Sequence, residues 1–327
     1  MLQKLLFLFS CCLLFSAWLP AQIEATSHNT DALFNAIRSG SLSELQQALD
    51  HGADANDSLD GYSALMAATL NGSPDQMKLL IQYGARVNEQ TSDSITALWL
   101  AVPDYEKTKL LLDNGADPNH KVQGYGVLVK LAGMPGSLGL FHLLLSRGCI
   151  LKQSAPDNYL VYNAALAGDT AILGFLLNNG FNANDTVSFG DYPINTALNF
   201  QSFPTLKMLV DHGADVNVRQ WIPQGADAFM GFTPLMYAAL LHDKPALMYL
   251  LTHGAEVNAK NKHGLTPLML LEQSETDDPE MTSALIEHGA VVTEKASDGT
   301  DALYYAKQKG NTASVTLLEK YKGRQSQ

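Results

Sequence analysis

Nine histidines and three cysteines are the side chains of this 327-residue sequence best able to bind a metal or attack a substrate. Four of the histidines, His51, His212, His253 and His288, each stand immediately before a glycine. A position that recurs in this way belongs to a repeat and not to a site. Equivalent residues on stacked helices stand roughly 8–10 Å apart, whereas zinc takes its ligands at about 2 Å, so no metal is expected. A side chain able to carry positive charge is instead suited to a helix C-terminus. Cys149 follows Gly148 where other units carry alanine, and reads as a small buried hydrophobe. There is no His-Glu-x-x-His, P-loop, Gly-x-Ser-x-Gly or dinucleotide fingerprint, and the acidic run Asp54 to Asp60 lacks the calcium-loop pattern. The chain is therefore read as non-enzymatic, with no catalytic residues, no metal and no cofactor. Asn56, Asn71 and Asn184 open Asn-x-Ser/Thr triplets, which are glycan acceptors only in a eukaryotic secretory setting.

Recognition is the chemistry that remains. The segment Arg219 to Met230 is longer and more aromatic than any other turn in the chain. Trp221, Ile222, Phe229 and Met230, with Phe232 beside them, are the expected partner-binding residues, because aromatic anchors dominate interfaces. The alternative is that they fold back onto the body of the protein, and the residues alone leave both open. A second long turn, Glu272 to Glu280, is acidic and reads as a solvated loop.

The elements that position these residues repeat. Gly52, Gly84, Gly115, Gly148, Gly180, Gly213, Gly254 and Gly289 are spaced by 32, 31, 33, 32, 33, 41 and 35 residues; Gly52, Gly115 and Gly213 open a Gly-Ala-Asp-x-Asn phrase, and Gly84, Gly180 and Gly254 open variants of it that keep the Asn. Before each glycine lies an apolar run at helical spacing, such as Met77 to Tyr83. Upstream of it lies a shorter helix opened by Thr-Pro-Leu, as at Thr233 and Thr266, where Thr suits the N-cap and Pro the first helical position. Small residues follow (Ala67, Ala68, Ala238, Ala239) and allow close helix approach. Nine units fit, with first helices near Ala32, Ser63, Thr96, Leu128, Leu160, Pro193, Thr233, Thr266 and Asp301. The fourth, with Gly133-Met134-Pro135-Gly136 between its helices, is the most degenerate. Gly231 to Ala239 and Asp211 to Asn217 closely resemble the two helix motifs of the ankyrin family. The resemblance covers about residues 30–323. It implies an all-α repeat solenoid that binds a protein partner on its concave face, although the family's usual His after Pro-Leu is Met66, Trp99, Met236, Met269 or Tyr304 here.

Residues 1–21 are compositionally separate. Lys4 precedes an almost wholly apolar run ending in small residues at Ala21, the layout of a secretory signal peptide. Cleavage there leaves residues 22–29 as a linker, 30–323 as the solenoid and 324–327 as a tail. Cys149 is then the only cysteine, and no internal disulfide can form. A reading with lipid on Cys11 stays open beside it. Export is expected, to the periplasm first and outside the cell second. A net charge of −12 argues against nucleic acid and anionic lipid as partners, and nothing after residue 21 resembles a membrane span. The functional expectation is a periplasmic protein that shields or inhibits a protein partner. A secreted effector that engages host proteins, or the scaffold part of an enzyme, are the alternatives.

Overall fold

The structure, a computed structural model, describes residues 28–151, 159–187, 191–220 and 229–325. The apolar N-terminus and residues 1–27 as a whole lie outside this set, as do Trp221 and Ile222. Contacts divide the chain after Thr91 into two compact bodies.

The first body holds two helix pairs, α1 (His28–Ser39) with α2 (Leu42–Asp50) and α3 (Ala64–Asn71) with α4 (Pro74–Gln82). The second holds seven. These are α5 (Ala97–Ala101) with α6 (Tyr105–Asp113), α7 (Val127–Ala132) with α8 (Leu138–Ser146), and α9 (Tyr159–Ala167) with α10 (Thr170–Asn178). They continue as α11 (Pro193–Asn199) with α12 (Phe203–Asp211), α13 (Pro234–Leu240) with α14 (Lys244–Thr252), α15 (Pro267–Glu272) with α16 (Pro279–Glu287), and α17 (Ala302–Lys309) with α18 (Thr312–Gln325). The only strands among the described residues are two small antiparallel hairpins, Ser58–Leu59 with Tyr62–Ser63 and Lys121–Val122 with Tyr125–Gly126. Each body is an all-α stack of repeats, and the nine helix pairs among the described residues are numbered below as repeats 1 to 9.

Local chemistry sets the helix ends. Ser63, Thr96, Asp104, Asp169, Asp243, Thr266 and Asp301 are N-caps whose side chains accept a backbone N–H of the first turn. The second helix of each repeat from 1 to 8 stops at a left-handed glycine. At Gly52, with φ of 92°, the N–H of Ala53 reaches back to the carbonyl of Ala48 and that of Gly52 to Leu49, the paired bonds of a Schellman motif. An L-side chain rarely adopts such a φ, so the glycine spacing is a backbone requirement. The residue before the glycine adds a further bond. His51, His212, His253 and His288 meet the carbonyl four residues earlier through Nδ1, at 2.6–2.8 Å. A carbonyl only accepts, so Nδ1 carries the proton. Asn114 and Asn179 do the same with their amides.

Neighbouring repeats are joined by three devices. Fully buried alanines (Ala68, Ala164, Ala197, Ala238, Ala306) let first helices pack closely. The Asn of Gly-Ala-Asp-x-Asn spans to the next repeat. Asn217, for example, donates to the Gly254 carbonyl at 3.0 Å and accepts from the Glu256 N–H at 2.7 Å. Asn56, Asn119, Asn184 and Asn258 make the same pair of bonds. Third, the loops between repeats ("fingers") bond to one another. The Lys262 N–H donates to Met230 and the Ser297 N–H to His263, both backbone carbonyls.

Three expectations change. Cys149 is half-buried, and its thiol donates to the Pro118 carbonyl at 3.2 Å on the rim of the preceding repeat. The Asn56 and Asn184 amides are committed to the inter-repeat bonds, so a glycan there would break the repeat joints. The acidic turn of repeat 8 is not simply solvated, because Glu272 is 1% exposed and Asp277 accepts the Ala313 and Ser314 N–H groups at the start of α18. The repeat-4 turn is long, as its Gly and Pro content suggests. Five residues separate α7 from α8, and the Gly136 N–H is held by Asp169 of repeat 5.

Candidate functional site

The fingers close by a regular backbone bond. In repeats 7 and 8 the Asn261 and Ala296 N–H groups donate to the Leu265 and Thr300 carbonyls, four residues on, and Val187 does the same with Asp191. In repeat 6 the Gln220 N–H donates to Phe232, twelve residues on, at 2.8 Å, and the Gly231 N–H returns to Gln220 at 2.9 Å. The eight extra residues therefore lie between Gln220 and Phe232. Arg219, counted in the insertion by sequence, belongs to the standard finger. Its guanidinium bridges to the Lys260 carbonyl and the Glu256 carboxylate of the next one.

The described end of the insertion rests on the solenoid. The Phe229 ring lies parallel to Tyr237 at 6.1 Å and edge-on to Phe232 at 5.2 Å, and Phe232 meets Tyr237 at 5.3 Å. Phe229 and Met230 are half-buried. Phe232, expected as an anchor, is only 3% exposed and is the floor of this cluster, because its backbone closes the finger and turns its ring inward. Trp221 and Ile222 lie outside the described residues.

Sequence reasoning missed what stands beside this cluster. Asp191, on the return of the repeat-5 finger, accepts from the Tyr162 hydroxyl of repeat 5 at 3.2 Å and from Thr196 of repeat 6 at 3.5 Å. Gln220 accepts from the Asn195 amide at 2.6 Å. Burial pushes the Asp191 carboxyl above its usual range, against the opposing hydrogen bonds of Tyr162, the Tyr192 N–H, Thr196 and Gln220. Tyr162 is pushed up to about 12, first by burial and then by the Asp191 charge. Tyr237 is raised by the same two causes in the same order. The available signal was positional. Tyr162 and Tyr237 occupy the same place in the first helices of repeats 5 and 7, where repeat 2 has Ala67.

Among the described residues no group of three or more His, Cys, Asp or Glu is placed to hold a metal. No helix among them is long and apolar enough to cross a membrane.

Stacked helix pairs joined by fingers, with an aromatic cluster at the base of the repeat-6 finger, define a helical repeat protein. The ankyrin-repeat family model matches residues 11–91, 33–122, 160–261 and 235–325, and the chain belongs to the ankyrin-repeat family. Among curated proteins it is similar to a putative ankyrin repeat protein of Acanthamoeba polyphaga mimivirus, 25% identical over 237 residues, covering 66% of this chain and 29% of the viral protein. It is similar to human ankyrin repeat and SOCS box protein 6, at 29% over 199 residues, 57% of this chain and 44% of the human one. A putative ankyrin repeat-containing protein of Treponema pallidum is 36% identical over 96 residues, 28% of this chain and 32% of that one. The chain thus spans less than half of each of these relatives.

Proposed function

We propose that this protein is an exported binder of one protein partner, held on the concave face around repeats 6 to 8 and anchored by the repeat-6 finger. The coarser statement, a protein-interaction module, is what ankyrin repeats imply. The observation that carries the finer reading is the pinned insertion. Both of its ends are fixed by backbone bonds between Gln220 and the Gly231–Phe232 pair. Its return is fixed to the next finger through Met230, and an aromatic floor lies beneath. A rigid base lowers the entropic cost of presenting the apolar residues Trp221 and Ile222 to a partner. In the periplasm such binding would shield or inhibit the partner; in a secreted effector it would engage a host protein. The apolar leader ending at Ala21 supports export in either case. Fractionating the native source into periplasm and medium separates them.

The test is Trp221→Ala, with affinity and melting temperature measured on the same variant against a partner captured with the mature chain. A hot-spot aromatic costs about 2 kcal/mol or more, roughly thirtyfold in affinity, and melting should be nearly unchanged. Unchanged affinity with a lowered melting temperature would overturn the reading.

A further inference from the structure

Repeat 9 is joined to repeat 8 by a closed polar cluster. Thr293 stands where Asn217 and Asn258 tie the preceding repeats, and the crossing bonds come from the acidic turn and the helices on either side of it. Glu272, Thr282, Asn311 and Ser314 are each 1% exposed or less. Asn311 donates to Glu272 Oε2 at 3.4 Å and to the Ser274 carbonyl at 3.2 Å. Asp277 accepts from the Ala313 and Ser314 N–H groups and from the Ser314 hydroxyl, so the first turn of α18 is capped from the preceding repeat. The Thr282 hydroxyl has one hydrogen and three acceptors in reach: Glu272 Oε1 at 2.6 Å, the Asp278 carbonyl at 3.1 Å and Ser314 Oγ at 3.2 Å. With Glu272 ionised, that hydrogen points to Oε1. With Glu272 protonated, the carboxyl O–H donates to Thr282, which turns its own hydrogen to the Asp278 carbonyl. Both states keep their hydrogen bonds and differ in charge.

We propose that this cluster is a pH-operated latch, in which a neutral Glu272 holds repeat 9 closed on repeat 8 and surrender of its proton to water lets repeat 9 open. An end repeat packs on one neighbour alone, so it opens at less cost than the stack behind it. Burial, with the Asp277 charge acting in the same direction, pushes the Glu272 carboxyl up from 4.5 to about 7, against the bonds of Thr282, Asn311 and Ser314. Once the repeat opens, the carboxyl meets water and returns to its ordinary range. A group raised in the closed form stabilises that form fully below 4.5 and loses the contribution as pH rises through 7. The neighbouring charges leave this sign in place. Burial raises Asp277, but the Ser314 hydroxyl and the Ala313 and Ser314 N–H groups outweigh it and hold the carboxyl below its usual range, so Asp277 caps α18 on both sides of the switch. Glu275 pairs with Lys309 and Lys307 with Glu319, while Glu280 and Glu287 of α16 are engaged by Lys244 and Ser283. His242, on the turn of repeat 7, is held below its usual range by burial, against Asp278 and the Leu271 carbonyl. Its contribution has the opposite sign, lost as pH falls, and it belongs to the joint between repeats 7 and 8.

The test is amide hydrogen exchange of the whole chain, from about pH 5 to about pH 9, read by mass spectrometry. Rates in α18 are divided by those of a free peptide of the same sequence, which cancels the pH dependence of the exchange chemistry. The corrected rate should rise about tenfold per pH unit up to 7 and level off above it, about three-hundredfold between 4.5 and the plateau. Helices α3 and α4 of the first body should show no such rise. Glu272→Gln keeps an amide donor where the protonated carboxyl has its O–H, and should hold α18 at its low-pH protection throughout. A flat or falling α18 rate in the unaltered chain, an equal rise in α3 and α4, or the same rise in Glu272→Gln each overturns the latch. The first two are read on the unaltered chain and stand even if Glu272→Gln fails to fold.

Discussion

Asp191 on the repeat-5 finger and Glu272 in repeat 8 are both carboxylates drawn out of water whose hydrogen bonds among the described residues come from neutral donors, and they differ in how far the residue is closed off. Glu272 is sealed. Oε1 accepts from Thr282 at 2.6 Å and Oε2 from Asn311 at 3.4 Å, Thr282 bonds to Ser314, and Asn311 and Ser314 belong to repeat 9. Burial pushes its carboxyl up from 4.5 to about 7. Asp191 is raised in the same direction by the same cause, and is the more open of the two as a residue, half-buried where Glu272 is 1% exposed. A sealed carboxylate held by Thr282 of its own repeat and Asn311 of the next acts as a joint. The more open Asp191 is held by Tyr162 of repeat 5 and Thr196 of repeat 6.

The joints explain why Glu272 was needed. Repeats 1, 3, 5, 6 and 7 are each tied to the next by the Asn of Gly-Ala-Asp-x-Asn, but the corresponding residue of repeat 8 is Thr293. There the crossing bonds come instead from Glu272, Asp277 and Thr282. On the repeat-5 finger, which carries Asp191, the Asn184 bonds already make the joint.

The largest effect should come from the aromatic base of the repeat-6 finger. Phe232 is buried against Phe229 and Tyr237, so Phe232→Ala should cost about 3–5 kcal/mol of folding free energy in denaturant titration. A loss below about 1 kcal/mol would mean that the finger base is not packed as described.

A somewhat smaller effect separates the two carboxylates by pH. The unfolded chain releases the Glu272 proton near 4.5 and the folded chain near 7. The protonated group's contribution is therefore fully present below 4.5, is lost as pH rises through 7, and then stays lost. The decline corresponds to about 3 kcal/mol. Glu272→Gln should remove this decline, making the variant more stable than the unaltered chain at pH 8 and no more stable at pH 4.5. Asp191→Asn should change the pH dependence in the same direction and by less. If the two variants behave alike, the distinction between sealed and open fails.

The repeats were legible because glycine spacing reports a backbone requirement. Gly52 through Gly289 all have positive φ, and no packing detail is needed to read them. The carboxylates were not. Glu272 sits in an acidic run that suggests solvent, although repeats 6 and 7 carry Leu198 and Ala239 at its place, both at 1% exposure or less. The position in the first helix, not the composition, determined burial. Asp191, Tyr162, Gln220 and Tyr237 come from three repeats and share no local pattern. Only the stacking of those repeats brings them together, and the aromatic insertion drew attention to its neighbours instead.

The smallest of the three effects tests the Asn bonds that join the repeats. Asn217→Ala removes a donor to the Gly254 carbonyl and an acceptor for the Glu256 N–H. Asn217 itself is only half-buried, so water can replace part of what is lost. The expected cost is about 1–2 kcal/mol, the worth of one or two hydrogen bonds at a partly wet position. Thr293→Ala, at the joint that uses Glu272 instead, should cost less than Asn217→Ala when both are measured by the same unfolding titration. Equal costs would show that the repeat-8 joint does not rely on its buried carboxylate.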